Sequence, residues 1–209
     1  MQDQLAQCFR VHANTLEAAL GVAAKNGASR AIGTTAGTAP ILADFAGAKK
    51  ILDDNGAPAS ERSIAMDTTA GTALRKMSQL TKVNESGSTM GLRDGELLNI
   101  HGFSLKESAG IAYHTKGTGA GYLVNGTLAV GATTITVDTG TGTILAGEVI
   151  TFAGDTNKYV VAEALAAGSL KIAKPGLRVA PADNAAVTVA NSYRGNLFFA
   201  RNAIHLVSR

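Results

Sequence analysis

The segment Asp138-Thr139-Gly140 is the one place where the residue order of this chain matches a known catalytic motif. It follows an apolar run, Thr133 to Val137, that predicts a β-strand. Aspartic proteases carry their catalytic carboxylates on an Asp-Thr-Gly turn after such a strand, and two of them must face each other to share one proton. The chain has one copy, so this hypothesis requires a homodimer. A hairpin turn opened by Asp explains the same residues, and we favour it.

Other residue types that often carry chemistry form no recognisable motif. The glycine-rich segment 117–122 lacks the third glycine of a dinucleotide-binding loop and the Lys-Ser/Thr pair of a phosphate-binding loop, so we interpret it as a flexible linker. The histidines lie far apart without the spacing of metal ligands; they are His12, His101, His114 and His205. The sequence therefore predicts no catalytic, cofactor-binding or metal-binding residue, and a protein that is not an enzyme and has no small-molecule substrate.

The composition favours repeated contact between protein surfaces. Charged residues make up 17% of the 209 residues, below the roughly 25% of an average globular protein, and small residues take their place. The net charge of +3 allows at most non-specific contact with DNA. No apolar run reaches the ~18 residues of a membrane helix, and the N-terminus lacks the basic start and apolar core of a secretion signal. We therefore expect synthesis in the cytoplasm and no membrane partner.

The first predicted element is a long helix at residues 3–25. Small and apolar residues recur in it at three- and four-residue spacing and define one face, which comprises Leu5, Cys8, Phe9, Leu16, Ala19, Leu20 and Ala23. Cys8 is the only cysteine, which excludes an internal disulfide. Its place on the apolar face predicts a buried thiol.

An α+β part follows this helix. A second helix is predicted to begin near Pro40, a strand to span Ser63–Met66, and a third helix, capped by Asp67, to reach about Met77. Residues 81–118 are predicted to be extended and irregular. Within that stretch, Arg93-Asp94-Gly95 is predicted to form an exposed turn between short strands.

From Gly121 the apolar residues recur at every second position, which is typical of β-strands. Short strands are predicted at residues 122–124, 133–138, 149–153, 159–161, 170–172 and 187–189. Their density within residues 119–192 indicates a small barrel or sandwich. The predicted core of this module comprises Ile135, Val137, Ile150, Phe152, Val160, Ile172, Val187 and Val189.

The order of these segments resembles the major coat protein of short-tailed Salmonella-type phages and related prophage capsid proteins. The resemblance depends on the Ala-rich first helix, the turn at residues 91–95, the strand that ends at 113–117, the segment 145–154 of the β module and the returning segment 191–207. It covers nearly the whole chain, although its individual motifs are short.

The resemblance implies an α+β fold, namely the tailed-phage capsid fold of the Hong-Kong-97 type with an inserted Ig-like or telokin-like β barrel. Residues 1–118 would form the capsid core with its spine helix, residues 119–192 the inserted barrel, and residues 193–209 the return segment to the core. Relatives have an N-terminal arm before the spine helix and continue beyond the position of Arg209, so both parts are expected to be missing here. The sequence leaves open whether the chain assembles without them.

These expectations describe a structural subunit that self-assembles into an icosahedral shell enclosing DNA. Its partners would be further copies of itself, with scaffolding and portal proteins; it would be made in the bacterial host cytoplasm and end in the virion capsid. We predict that Arg93 and Asp94 lie at an exposed turn, which is a candidate contact with a neighbouring subunit, although an ordinary turn explains these residues as well and we favour it. Two other classes stay open: a dimeric aspartic protease that uses Asp138, and a β-barrel binding module, in which aromatic residues are few.

Overall fold

A computed structural model gives the fold and describes residues 2–33, 40–97 and 99–204. The chain is mixed α+β and divides into two compact units. The first, called the host unit, comprises Met1–Thr15, Thr38–Ala112 and Arg194–Arg209. The second, called the barrel unit, comprises Leu16–Gly37 and Tyr113–Tyr193.

The secondary structure follows in chain order. The helices are α1 (Gln2–Asn26), α2 (Leu42–Asp54), α3 (Thr68–Arg75), α4 (Ser78–Thr81), α5 (Val83–Ser86) and α6 (Met90–Arg93), with a short 3₁₀ helix at Arg201–Ala203. The strands are β1 (Arg62–Met66), β2 (Phe103–Glu107), β3 (Tyr113–His114), β4 (Leu123–Val124), β5 (Thr134–Asp138), β6 (Val149–Phe152), β7 (Tyr159–Ala166), β8 (Ser169–Ile172), β9 (Val187–Val189), β10 (Tyr193–Arg194) and β11 (Leu197–Ala200).

The two units have different bounds from the predicted division at 1–118, 119–192 and 193–209. The second part of α1 and the segment after it belong to the barrel unit. They belong there because the backbone of Ala31 pairs with that of Lys158, and the guanidinium of Arg30 donates to the carbonyl of Gly176 over 3.1 Å. Sequence spacing gives no sign of such contacts between distant residues.

Helix α1 extends one residue beyond the predicted 3–25 at each end. Its Ala and Leu residues favour the helix intrinsically, and Lys25 in the last turn complements the negative end of the helix dipole. At ~1.5 Å per residue the helix is about 37 Å long. Within the described ranges, none of the helices combines the length and hydropathy needed to cross a membrane.

The host unit is built around a three-stranded sheet in the order β11-β1-β2. β1 is antiparallel to β11 and parallel to β2. The carboxylate of Asp67 caps α3 as predicted, accepting from the N–H of Ala70 over 3.0 Å and of Thr69 over 3.3 Å. The sheet and the helices enclose a core whose fully buried members include Phe45, Ile64, Met66, Leu74 and Phe103.

The barrel unit contains an antiparallel sheet in the order β4-β5-β8-β7-β6-β9. A bridge between Leu123 of β4 and Ala186, next to β9, joins the two edges of the sheet. The N–H of Val124 also donates to the carbonyl of Ala185 over 3.0 Å. The sheet is therefore nearly closed into a barrel, and the prediction of a small β barrel is confirmed.

Strand β7 departs from its predicted bounds, and one of its predicted core residues, Val160, lies on the opposite face from the others. It continues to Ala166 rather than ending at residue 161. Because side chains alternate along a strand, Tyr159 and Val161 face the barrel core and Val160 points to the other side. Val160 is buried as predicted, although it is not among the side chains that pack together in the barrel core.

The glycine-rich segment 117–122 is an integral part of the barrel unit, and the prediction of a flexible linker is wrong. The N–H of Gly119 donates to the carbonyl of Thr143 over 2.8 Å. The N–H of Gly117 donates to the carboxylate of Glu148. A Cβ at Gly117 would lie 2.4 Å from the carbonyl oxygen of Thr143, so the glycines are needed because two backbone segments approach closely.

Candidate functional site

Helix α1 carries an exposed apolar surface, although its periodicity predicts a buried face. Every side chain from Ala6 to Glu17 is exposed, including Phe9 at 74% and Val11 at 64%. Cys8 is exposed as well, so the predicted burial of its thiol is wrong. Apolar spacing identifies a face that packs, but it cannot distinguish packing within the chain from packing on another molecule.

The large apolar side chains of this surface fall into two stripes. At 3.6 residues per turn, Phe9 and Leu16 lie about 20° apart around the helix axis, and Val11 and Val22 also lie about 20° apart. The two pairs are separated by roughly 140°. Leu16 and Val22 are 41% and 43% exposed. We call these four residues the α1 surface; it offers apolar contact in two directions.

The predicted contact turn lies at the end of a short helix. Arg93 is the last residue of α6, and Asp94 caps it, its N–H donating to the carbonyl of Met90 over 2.9 Å. The hydroxyl oxygen of Ser88 accepts from the N–H of Met90 over 3.2 Å, which favours a helical turn where the sequence predicts a strand. Both Arg93 and Asp94 are exposed as predicted, a position compatible with contact to another molecule.

Asp138 ends β5 in an exposed turn. Its carboxylate accepts from the hydroxyl of Thr139 over 3.0 Å, and its carbonyl accepts from the N–H of Gly140 over 2.7 Å. Thr139 has a φ of 64°, in the left-handed region that turns use. These contacts are those of the turn interpretation, while the protease chemistry would need a second carboxylate from another copy.

The barrel unit brings together a cluster of ionisable side chains that the sequence does not predict. It comprises Lys25, His114, Glu148 and Tyr193, and we call it the His114 cluster. Lys25 comes from the last turn of α1, and Glu148 directly precedes β6. His114 and Tyr193 lie in β3 and β10, which form a two-stranded sheet. No motif spacing relates these positions, because only the folded barrel unit brings them together.

The contact between Lys25 and His114 defines the state of the imidazole ring. The ammonium nitrogen of Lys25 lies 2.9 Å from Nδ1 of His114. An ammonium group can only donate, so Nδ1 accepts and the proton of the neutral ring is on Nε2. The ring is 8% exposed, and its centroid is 5.2 Å from that of Tyr193. Nε2 has no hydrogen-bond partner among the described residues, nor has the buried Oδ1 of Asn26.

The cluster shifts the protonation of its members. Burial lowers the pKa of His114, and the charge of Lys25 lowers it further, while Glu148 acts in the opposite direction. Burial also lowers the pKa of Lys25. Burial, assisted by the charge of Glu148, raises the pKa of Tyr193 to about 12. At neutral pH, His114 is therefore uncharged and Tyr193 retains its proton, which it donates to the carbonyl of Gly147.

Glu148 can be buried because both of its carboxylate oxygens accept hydrogen bonds. It is 1% exposed, and it accepts from the N–H of Leu145 over 3.1 Å and from the N–H of Gly117. Charged acceptors satisfied by backbone donors can remain buried. In the part of the chain that the structure describes, no group of three or more His, Cys, Asp or Glu side chains is placed to hold a metal ion.

Comparison with known proteins gives a distant structural likeness. The chain matches no protein-family model and no curated protein. Its fold is similar to that of a solved chain from Mycobacterium phage Che8, with 17% sequence identity and a TM-score of 0.44 over 94% of this chain. This chain spans 61% of the length of that one. A likeness of this strength assigns no family.

Proposed function

We propose that this protein is a structural major capsid subunit of a phage or prophage, with the tailed-phage capsid fold of the Hong-Kong-97 type. The exposed apolar surface of α1 is the observation that supports the proposal most. The order of sequence segments that resembles phage coat proteins supports the same function.

A helix as exposed as α1 gains stability from a partner. Isolated helices are marginal in water, and most of the stability of a helix in a protein comes from packing of its apolar face. Complete burial of a Val, Leu or Phe side chain contributes about 1.5–3 kcal/mol. Phe9 and Val11 are exposed over most of their surface, so contact with another molecule would recover a large part of this energy.

The two stripes of the α1 surface favour an assembly larger than a dimer. An isologous dimer uses one self-complementary patch, whereas contacts between different patches repeat from copy to copy and close into rings. Phe9 and Leu16 on one side, with Val11 and Val22 on the other, allow one helix to contact two neighbours. Each contact can be weak, because many act together in a closed shell.

The proposal specifies partners and location. The protein contacts further copies of itself, and scaffolding and portal proteins during assembly; it is made in the bacterial host cytoplasm and ends in the virion capsid. The exposed Arg93 and Asp94 are proposed as a second subunit contact. The net charge of +3 allows non-specific contact with packaged DNA, and the function requires no catalysis, cofactor, small-molecule substrate or membrane.

The test is assembly of the protein expressed with its natural flanking DNA, followed by negative-stain electron microscopy and sedimentation velocity. We expect closed shells or uniform capsomers, and a shift to smaller species when Phe9→Ser and Leu16→Ser are combined. Asn14→Ser, at an exposed polar position of the same helix, is the matched control and should assemble normally. The proposal would be contradicted if the protein without substitutions is strictly monomeric. It would also be contradicted if the doubly substituted protein assembles normally.

A further inference from the structure

Stretches of the barrel unit that are far apart in sequence meet at His114. Lys25 brings the last turn of α1, Tyr193 brings β10, and Gly147 lies in the loop before β6. A Cβ on Gly147 would lie 2.6 Å from both Oδ1 of Asn26 and Cε of Lys25. The end of α1 therefore packs directly on this loop, with the imidazole ring at the same junction.

The contact between Lys25 and His114 exists in one protonation state of the ring. In the neutral ring, Nδ1 has a lone pair that accepts from the ammonium group at 2.9 Å. In the protonated ring both nitrogens are donors, so Nδ1 would direct a proton at the ammonium. Protonation thus replaces a hydrogen bond by repulsion between two cations in a partly buried site.

The charged groups around the ring decide the direction of its titration. Lys25 of α1 opposes protonation, and Glu148 of the loop before β6 favours it. Tyr193 of β10 stays uncharged because its pKa is raised to about 12. Lys116, which follows on the chain, directs its ammonium at the carbonyl of Val189 over 3.2 Å. Burial and Lys25 together prevail over Glu148, and the pKa of His114 lies below its ordinary value.

We infer that His114 is an acid-sensitive clasp, which holds the end of α1 on the barrel at neutral pH and releases it when the ring is protonated. The pKa of His114 is lower in the folded chain than in the unfolded chain. The stabilisation by the contact is therefore complete above the ordinary histidine value of about 6.5 and is lost as the pH falls below it. Release would remove one of the contacts that hold α1, the helix that carries the α1 surface, on the barrel. That last consequence depends on the proposed function, but the clasp itself does not.

Hydrogen–deuterium exchange of the full chain, followed by mass spectrometry and corrected for the intrinsic effect of pH, tests the clasp. We expect peptides from residues 20–33 to exchange faster at about pH 5 than at about pH 7.5, because the contact that stabilises the end of α1 is lost as the His114 ring, whose pKa is lowered in the folded chain, is protonated. Peptides from α2, which belongs to the host unit, should show no such step. Equal corrected exchange of residues 20–33 at the two pH values would overturn the inference.

Two substitutions test whether the imidazole is responsible. His114→Asn retains an oxygen that can accept from Lys25 but does not titrate, so the pH step should disappear. His12→Asn, at an exposed histidine of α1, is the control and should retain the step. A step that persists in His114→Asn would refute the clasp.

The inference remains testable if His114→Asn does not fold. Lys25→Met removes the cation that opposes protonation, so the His114 ring signal in nuclear magnetic resonance should titrate at a higher pH than in the unchanged protein. An unshifted titration of His114 in Lys25→Met would show that the contact does not control the ring, and would refute the clasp independently.

Discussion

Replacement of Gly147 by Ala tests how closely α1 packs on the barrel. Gly147 has a φ of +88°, a conformation that costs a residue with a Cβ about 1–2 kcal/mol. The added Cβ would also lie 2.6 Å from Oδ1 of Asn26 and from Cε of Lys25. Both neighbours are side chains and can move, but movement of Lys25 breaks its contact with His114.

The matched control is Gly154→Ala. Gly154 has a φ of +85°, and a Cβ there would meet nothing within 4 Å, so its replacement carries only the backbone cost of about 1–2 kcal/mol. Gly147→Ala adds the loss of the hydrogen bond between Lys25 and His114, about 1–2 kcal/mol for a charged donor at a partly buried site. The expected loss of unfolding free energy is therefore about 2–4 kcal/mol for Gly147→Ala.

Differential scanning calorimetry at neutral pH measures the difference. For a unit of about 100 residues, such as the barrel unit, 1 kcal/mol changes the Tm by roughly 4–8 °C, so Gly147→Ala should melt about 4–16 °C below Gly154→Ala. Because the chain has two compact units, the transition of the barrel unit is the one to compare. Equal Tm values for the two variants would refute the close packing of α1 on this loop.

Two further substitutions concern the host unit. Asp67 is 3% exposed and caps α3, so Asp67→Ala should lower the free energy of unfolding in urea by about 1–2 kcal/mol. The control is Asp54→Ala, which removes an exposed ion pair with Lys50 and should lower it by less than about 1 kcal/mol. Equal losses for the two variants would contradict the capping role of Asp67. Asp94→Arg reverses an exposed charge and should lower the yield of assembled particles without changing the unfolding free energy, and an unchanged yield would dismiss this turn as a subunit contact.

The barrel could be predicted from the sequence because each strand has one face in a core. Alternation of apolar and polar residues identifies the strands within a residue of their bounds, and Val187–Val189 agrees fully. The end of β7 is missed because its side chains beyond Val161 are mostly exposed and lose the alternation. There the strand is paired by Glu163 and Lys171, which form an ion pair at 2.8 Å across to β8, and such pairing depends on the register rather than on local sequence.

The sequence could not predict whether the apolar face of α1 packs within the chain or is exposed. The spacing around Cys8 and Phe9 is the same whether a helix packs on its own chain or on another, so only the structure shows that this face is exposed. The environment of His114 could not be predicted from the sequence either. Its Nδ1 is satisfied by Lys25 from α1, and nothing near either residue in the sequence predicts their contact.

The position of β11 in the host sheet has a consequence for synthesis of the chain. β1 pairs with β2, which follows soon after it, but also with β11, which leaves the ribosome only after the whole barrel. Closing the intervening loop costs conformational entropy that grows with the logarithm of its length. Pairing of β3 with β10 joins the two ends of the sequence between them and lowers this cost by on the order of 1 kcal/mol. Folding of the barrel during translation thus prepares the host sheet to receive its last strand.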